Sequence, residues 1–518
     1  MKRGILTLSF LSFVLLSGCN NPSPSNNGYR FFEDDGSSGQ VGYEIFTGSY
    51  CDSNNDGTGD FLGIKSKLPY LKALGYKRIW LTPIGPSQSY HKYDVDDYFA
   101  VDSTFGTLED FDLLVTECHA LGLEIIIDLV LNHSSNHNQL FLDSEKDYRD
   151  NNTSETSKKD YYVWSKTSQD GFSYSATANA FYEANFSNTM PEFDLSNPKV
   201  VEMIHEICDF WLIDHNIDGF RLDAVIYYFF KEQSKNVPFL TELNNYIKEK
   251  KPSAYVIGEA WETSQSIINN YSASGMNFFN FPTAEMNNYG PGKVVNSPAG
   301  VTNFAESIVK AQKGIASSSN GKGSRLCSFL GNHDTTRVGG YYSGDVLKQK
   351  MLASLSLLTP GTPWTYYGEE IGMKGAKKDG DYLQRTGMLW GKNETRANYP
   401  YGVVDSSFQV SVGALDGLED PDSLINHYKM VLSTRNHFNS LFTDGTFVDL
   451  ALEKPFAGFK ITKDEKACYL IHNVSKTAAT ATLAGSYTIL SDIKADGVSS
   501  SIRDGKVSLG AFSSVLLG

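Results

Sequence analysis

The chain has 518 residues, with 60 acidic against 45 basic side chains and a formal net charge of −15. So acidic a surface argues against nucleic acid or an anionic membrane face as the main partner. The length exceeds one ordinary domain, unless one domain is a large α/β barrel carrying insertions.

Lys2 and Arg3 precede the apolar run ILTLSFLSFVLL, which is too short to span a bilayer as a mature helix. Residues 1–18 therefore read as a signal peptide. The run ends LSGC (Leu16 to Cys19), and NNPSPSNNG opens a polar tether over residues 19–40. This resembles a bacterial lipoprotein signal, in which Cys19 would carry the lipid and hold an exported protein at the cell surface. The plainer reading is a secretory peptide that happens to contain a cysteine. Cys51, Cys118, Cys208, Cys327 and Cys468 are far apart, odd in number and without CxxC spacing. Neither a disulfide framework nor a zinc site is expected of them.

Residues 52–60 read DSNNDGTGD, with oxygen-bearing side chains at every second position: Asp52, Asn54, Asp56, Thr58 and Asp60. The composition suits a solvated turn. An EF-hand opens in the same way but needs Glu at its twelfth position, and here that position is Gly63. A hard-cation cage built from the loop alone stays open.

From residue 42 short apolar runs alternate with amphipathic stretches. GYEIFTGSY, RIWLTPI, LEIIIDLVLNH, GFRLDAV, YVIGEAW, MNFFNFP, LCSFLGNHD and TPWTYYGEEIG are eight candidate strands. Between them NPKVVEMIHEICDFWLIDH repeats Val200, Ile204, Ile207 and Trp211 on one helical face. Eight strand–helix units with continuous apolar strands predict an α/β fold, a closed parallel (β/α)8 TIM barrel, over 41–133 and 198–437. The polar stretch 134–197, rich in Asn, Ser and Tyr, is too long for a loop and reads as a small inserted domain. ASSSNGKGS at 316–324 reads as a surface loop. From 438 to 518 short β-rich pieces without helical period predict a C-terminal β-sandwich.

In such a barrel chemistry gathers at the C-terminal ends of the strands. The third strand ends in Asp128, Asn132 and His133, and the fourth carries Arg221 and Asp223, two apart and so on one face. The fifth ends in Glu259 and the seventh in Asn332, His333 and Asp334. One strand-end acid is usually a structural ion pair. So many charges converging on one mouth are costly to bury without purpose.

The segments DLVLNH (128–133), GFRLD (219–223), GEAW (258–261) and NHD (332–334) resemble the four short motifs of the α-amylase family of glycoside hydrolases, in order. GTPWTYYGEE (361–370) is similar to that family's eighth-strand segment. The likeness covers nearly all of the chain after the tether. It implies a retaining glycosidase that cleaves α-1,4-glucosidic bonds in starch, glycogen or maltooligosaccharides. Asp223 would be the nucleophile, with Arg221 beside it as countercharge. Glu259 would be the general acid and then base, and Asp334 the stabiliser of an oxocarbenium-like transition state. His133 and His333 would bind hydroxyls of the sugar being cleaved, Tyr93 would stack beneath it, and Asp381 with Arg385 would grip the next sugar. GSYCDSNNDGTGD resembles a calcium loop of the oligo-1,6-glucosidase side of the family. The resemblance thus implies Ca²⁺ on the side chains of Asp52, Asn54, Asp56 and Asp60 and the carbonyl of Thr58.

Departures qualify the likeness. AVIYYF follows Asp223 and lacks the Lys-His pair that many α-amylases carry there, and Lys92 stands where the family usually has Gly in HGYD. Asn132 resembles a residue near the family's other calcium site. MPEFD (190–194) resembles a group between neopullulanases and oligo-1,6-glucosidases, whereas Ala224 matches the α-1,4-cleaving members. The alternatives are an oligo-1,6-glucosidase or transglycosylating relative and, in another class, a non-catalytic sugar-binding lipoprotein. The expected partner is an α-glucan bound by a monomer, with no nucleic acid and with membrane contact only through a lipid on Cys19.

Overall fold

The computed structural model describes residues 40–284, 290–297, 301–342, 344–400 and 410–518. The expected signal peptide and Cys19, with all but the last residue of the tether, lie outside them. The chain forms β1 (Gly42–Ile45), β2 (Arg78–Leu81) and β3 (Glu124–Leu129), then an excursion with β4 (Trp164–Ser165), β5 (Phe172–Ser175) and β6 (Ala180–Glu183). It returns through β7 (Gly219–Leu222), β8 (Tyr255–Gly258), β9 (Asn277–Phe279), β10 (Leu326–Cys327) and β11 (Trp364–Tyr366). One parallel sheet runs β10-β9-β8-β7-β3-β2-β1-β11, and a single bridge, Phe329 with Trp364, joins its two ends into a barrel. These are the eight expected strands.

The strands are short and buried on both faces, which is why they read as unbroken apolar runs. Trp80, Ile126, Tyr255, Ile257, Phe279, Phe329 and Trp364 fill the interior. Gly219 opens β7 at φ +140, where a Cβ would lie 1.9 Å from the carbonyl oxygen of Tyr255. Only glycine lets β7 meet β8 there.

Helix α1 (Phe61–Leu74) follows the 52–60 loop and is N-capped by Asp60, whose Oδ1 accepts from the Gly63 N–H at 2.6 Å. In the excursion, α2 (Gln139–Arg149) lies with the antiparallel sheet β4-β6-β5. Phe141 stacks on Trp164 at 5.8 Å. A bridge from His133 to Glu192, with the Phe193 N–H donating to the Asn132 carbonyl at 3.0 Å, ties this segment to the mouth of the barrel, and a bridge from Tyr162 to Phe193 closes the segment on itself. Helix α3 (Pro198–Asp209) buries Val200, Ile204 and Ile207, and widens into a π turn, Phe210–Asp214, that buries Trp211.

Helix α4 (Val301–Ser319) takes in the first four residues of the tract expected to be a loop. Serine is tolerated in a last helical turn when its hydroxyl bonds back along the helix, as Ser319 Oγ does to the Ala316 carbonyl at 3.2 Å. After α5 (Leu424–His437) the chain forms β12 (Thr446–Asp449), β13 (Phe456–Lys463), β14 (Lys466–Asn473), β15 (Ala479–Thr482), β16 (Ile489–Ile493), β17 (Ser501–Arg503), β18 (Lys506–Leu509) and β19 (Ser514–Leu517). Two antiparallel sheets, β12-β13-β14-β19-β16 and β15-β18-β17, enclose Phe456, Ile471, Leu483, Val507 and Val515 as a sandwich core.

Arg435 on α5 is fully buried, and burial pulls its guanidinium down to about 9. It donates to the carbonyls of Leu357 and Thr359, both at 2.6 Å, and to that of Gly361, and so clamps the turn that leads into β11. Arg435→Met strands those carbonyls and lowers unfolding free energy by roughly 2–4 kcal/mol. Urea unfolding measures this, and a loss under about 1 kcal/mol would mean the clamp is dispensable.

Candidate active site

The register of the barrel brings the site together. Asp128 on β3 pairs with Arg221 on β7, which pairs in turn with Ile257 on β8, two residues before Glu259. Arg221 is fully buried between these strands. Its Nη1 donates to Asp128 Oδ1 at 2.8 Å and Oδ2 at 3.0 Å, and to Asp223 Oδ1 at 2.6 Å. Its Nη2 lies 3.0 Å from Glu259 Oε1, a charge contact whose angle leaves Nη2 without a hydrogen bond. The guanidinium also packs on the rings of Trp80 at 5.0 Å and Tyr93 at 5.8 Å.

Three carboxylates thus surround one cation, and their charge is not fully balanced. Burial pushes Glu259 up to about 7, with Arg221 opposing and Asp223 and Asp334 adding to the rise. Burial likewise lifts Asp128 to about 6 against the pull of Arg221. The Ala224 N–H, next to Asp223, donates to Glu259 Oε2 at 3.2 Å.

Asp334 is built the opposite way. Burial would raise it, but His333 and Arg385 outweigh that and hold its carboxyl well below the usual range. Arg385 Nη2 donates to Asp334 Oδ1 at 2.6 Å, and His333 Nε2 lies 3.0 Å from Oδ2. The Tyr93 hydroxyl is 2.7 Å from the same His333 nitrogen and donates to Asp128 Oδ2 at 2.9 Å, linking the two clusters. His133 is buried, with Nε2 at 3.2 Å from the Tyr93 carbonyl, and burial lowers its pKa. Arg385 Nη1 also reaches the Tyr90 hydroxyl at 2.8 Å. Asp381, at the start of the same turn, is exposed. The arrangement offers one carboxyl that is protonated near neutrality beside carboxylates held by cations, the equipment of acid–base and nucleophilic catalysis.

Two departures noted in the sequence have structural counterparts. Lys92 adopts φ +64, a conformation glycine takes without strain. A buried ion pair to Asp102 at 2.6 Å holds it there, with Tyr93 next in the chain. In AVIYYF, Tyr227 stacks on Phe230 at 5.2 Å and meets Phe186 of the inserted segment at 4.6 Å. Phe186 and Phe230 are 45% and 43% exposed, and Phe186 reaches the His133 ring at 5.4 Å.

In the 52–60 loop the oxygens turn onto the loop's own backbone. Asp52 accepts from the N–H groups of Asn54, Asn55 and Gly57, Asn54 from that of Asp56, and Asp56 from that of Thr58. Asp60 is committed to Ser53 and Gly63. Among the described residues no three acidic, histidine or cysteine side chains converge as a metal-holding group. The donor set is all oxygen, which fits a hard cation in chemistry, and an oxygen that accepts one N–H keeps a lone pair for a metal.

Sequence reasoning missed Glu44, which is 2% exposed on β1 with Oε1 2.6 Å from His333 Nδ1. The available signal was an acid inside GYEI, a four-residue strand that is otherwise uncharged. It also missed Tyr90 and the indole of Trp80, whose Nε1 donates to Asp128 at 3.2 Å.

Comparison with known proteins places the fold. Residues 44–445 match the family described as "Alpha amylase, catalytic domain". "Alpha-amylase 3" of Dictyoglomus thermophilum is 32% identical over 488 residues, 92% of each chain. "Oligo-1,6-glucosidase" of Halalkalibacterium halodurans is 28% identical over 80% of this chain and 85% of its own. The solved structure of Eubacterium rectale Amy13B superposes with a TM-score of 0.87 at 35% identity, covering 94% of this chain and 96% of that one. The chain belongs to the α-amylase family of glycoside hydrolases.

Proposed function

We propose that the protein hydrolyses α-1,4-glucosidic bonds in starch, glycogen or maltooligosaccharides with retention of configuration. The observation that carries this reading is the single guanidinium of Arg221 shared by Asp223 and Glu259. Two carboxyls on neighbouring nitrogens of one planar group favour the short span of about 5–5.5 Å needed for direct attack on the sugar, rather than the wider gap that admits a water. Asp223 attacks the anomeric carbon and forms a glycosyl-enzyme. Glu259, raised to about 7, protonates the departing oxygen and then takes the proton of the incoming water. Asp334, kept ionised by His333 and Arg385, stabilises the positive charge that develops on the sugar. His133, His333 and Tyr93 contact the sugar in the cleavage subsite, and Arg385 acts through Asp334. The 32% identity with a protein named an α-amylase and the Ala224 next to Asp223 support the α-1,4 choice.

A second reading, transfer of the glycosyl group to another sugar, is favoured by the exposed Phe186–Tyr227–Phe230 face. That face rises from the loop whose Ala224 N–H holds Glu259, and so lies on the side of the leaving group. Chromatography of products from amylose, pullulan and isomaltose separates the readings. Shortened maltooligosaccharides from amylose support the first, and products longer than a maltotriose donor support the second.

We infer also that the 52–60 loop takes Ca²⁺ as a structural ion, with Asp52, Asn54, Asp56, Asp60 and the Thr58 carbonyl as ligands, and that Cys19 carries a lipid at the surface of the exporting cell.

The division of labour predicts different failures. Glu259→Gln and Asp223→Asn both abolish starch hydrolysis. With maltosyl fluoride, whose leaving group needs little protonation, Glu259→Gln still forms an adduct visible by mass spectrometry, whereas Asp223→Asn forms none. In the wild type kcat/KM on starch is retained below about pH 7 and falls as pH rises through it, because the acid loses its proton. An adduct on Asp223→Asn would overturn the assignment. For the loop, calcium at about 100 times its Kd stabilises the fold by about 2.7 kcal/mol. Asp56→Ala removes that increment and lowers Tm, and a wild-type Tm indifferent to chelator would refute the ion. For the anchor, Cys19→Ala moves an active enzyme from the membrane to the soluble fraction. Processed wild type found wholly in the soluble fraction would contradict the lipid.

A further inference from the structure

We propose that Glu44 is a positioning residue for the reaction: gripping His333 from behind, it fixes that ring as a double donor whose front N–H serves Asp334, Tyr93 and the bound sugar. This deepens the glycosidase reading and rests on it.

Glu44 is the one charged residue of β1, and a carboxylate buried so deeply needs a cation or a strong donor. It finds both in His333. Its Oε1 lies 2.6 Å from the ring Nδ1 and accepts from the His333 backbone N–H at 3.3 Å. The ring, fully buried, has no freedom to turn away. Tyr93 stacks on its face at 5.4 Å and 12°, and Trp80 meets it edge-on at 5.7 Å. The Gln384 side chain and Arg385 Nε hold its carbonyl at 3.2 Å and 2.9 Å.

The opposite nitrogen faces Asp334 Oδ2 at 3.0 Å and the Tyr93 hydroxyl at 2.7 Å, and that hydroxyl spends its proton on Asp128. A ring with a carboxylate at each nitrogen satisfies both only if both nitrogens carry protons. A neutral ring would turn a lone pair toward Glu44 or toward Asp334. The charged and titratable groups around the ring are Glu44 from β1, Asp334 beyond β10 and Arg385 beyond β11, His91 and Tyr93 from the loop after β2, and Asp128 and Glu259 across the mouth. Burial alone would lower the ring's pKa, but Asp334 and Glu44 reverse that and push it up to about 10. Glu44 touches no reacting atom in this scheme. It acts through His333, keeping the donor to Asp334 and the sugar in place through the neutral range.

The test uses the full-length enzyme labelled with ¹⁵N-histidine, the His333 signals being identified by their loss in His333→Asn. In the wild type both ring N–H signals persist from pH 6 to 8.5 by expectation. In Glu44→Gln, which keeps the side chain's shape, the ring titrates within that window. The rate of glycosyl-enzyme formation from maltosyl fluoride, followed by mass spectrometry in a single turnover, then reports on His333 with little dependence on the proton of Glu259. That wild-type rate holds across the window, whereas Glu44→Gln loses roughly 10- to 100-fold in its maximal value with little change in the donor concentration giving half of it, and loses more as pH rises. A Glu44→Gln enzyme with wild-type nitrogen spectra and pH profile would reduce Glu44 to a packing residue and overturn the proposal. So would a neutral His333 in the wild type at pH 7, a result that needs no variant to fold. If the wild type cleaves no glucan while its His333 is doubly protonated, the glycosidase reading fails and the Glu44 contact stands.

Discussion

One buried guanidinium governs the mouth of this barrel. Arg221 has no access to water, and three carboxyls converge on it from three strands. A single positive charge cannot balance three negative ones in a medium that screens poorly. Burial raises both Glu259 and Asp128 above the ordinary carboxyl range, and the neighbouring carboxylates add to the rise against the pull of Arg221. The proton that a glycosidase must donate is therefore a product of burial first and of charge crowding second. Asp334 lies across the mouth with a cation on each side, and its charge is secure for the same electrostatic reason with the opposite sign.

Backbone register makes this crowding reproducible. Residues two apart on a strand share a face, so Arg221 and Asp223 enter the mouth together. Parallel pairing sets Asp128 beside Arg221, and Gly219 lets β7 approach β8 closely enough for the guanidinium to reach Glu259. The three carboxyl partners of Arg221 are thus brought within its reach by main-chain geometry.

How much of this was legible in the sequence follows from what each feature writes into it. Unbroken apolar runs with acids at their ends betray parallel strands and a site, so the eight strands and the convergence of Asp223, Glu259 and Asp334 could be read directly. Glu44 could not, because one acid in a short strand has no spacing to mark it, and its partner lies 289 residues away. The exposure of Asp381 against the burial of Arg385 was hidden for a related reason: both belong to one turn, and only the packing of Tyr90 and Asp334 against it separates them. Asp60 caps α1, a role that the alternating loop pattern masks. The serines at the end of α4 look like loop because their composition is shared by loops and by frayed helix ends.

The five cysteines of the described fold are all reduced and all buried, spread over the barrel, its helices and the C-terminal sandwich. A thiol shut away from solvent reacts with a modifying reagent only when its surroundings open. Burial also holds each of these thiols above its ordinary pKa, so little of the reactive thiolate forms in the folded state. The molecule thus carries its own set of internal clocks, four timing the opening of the barrel and Cys468 that of the sandwich, and each can be read without introducing a new cysteine.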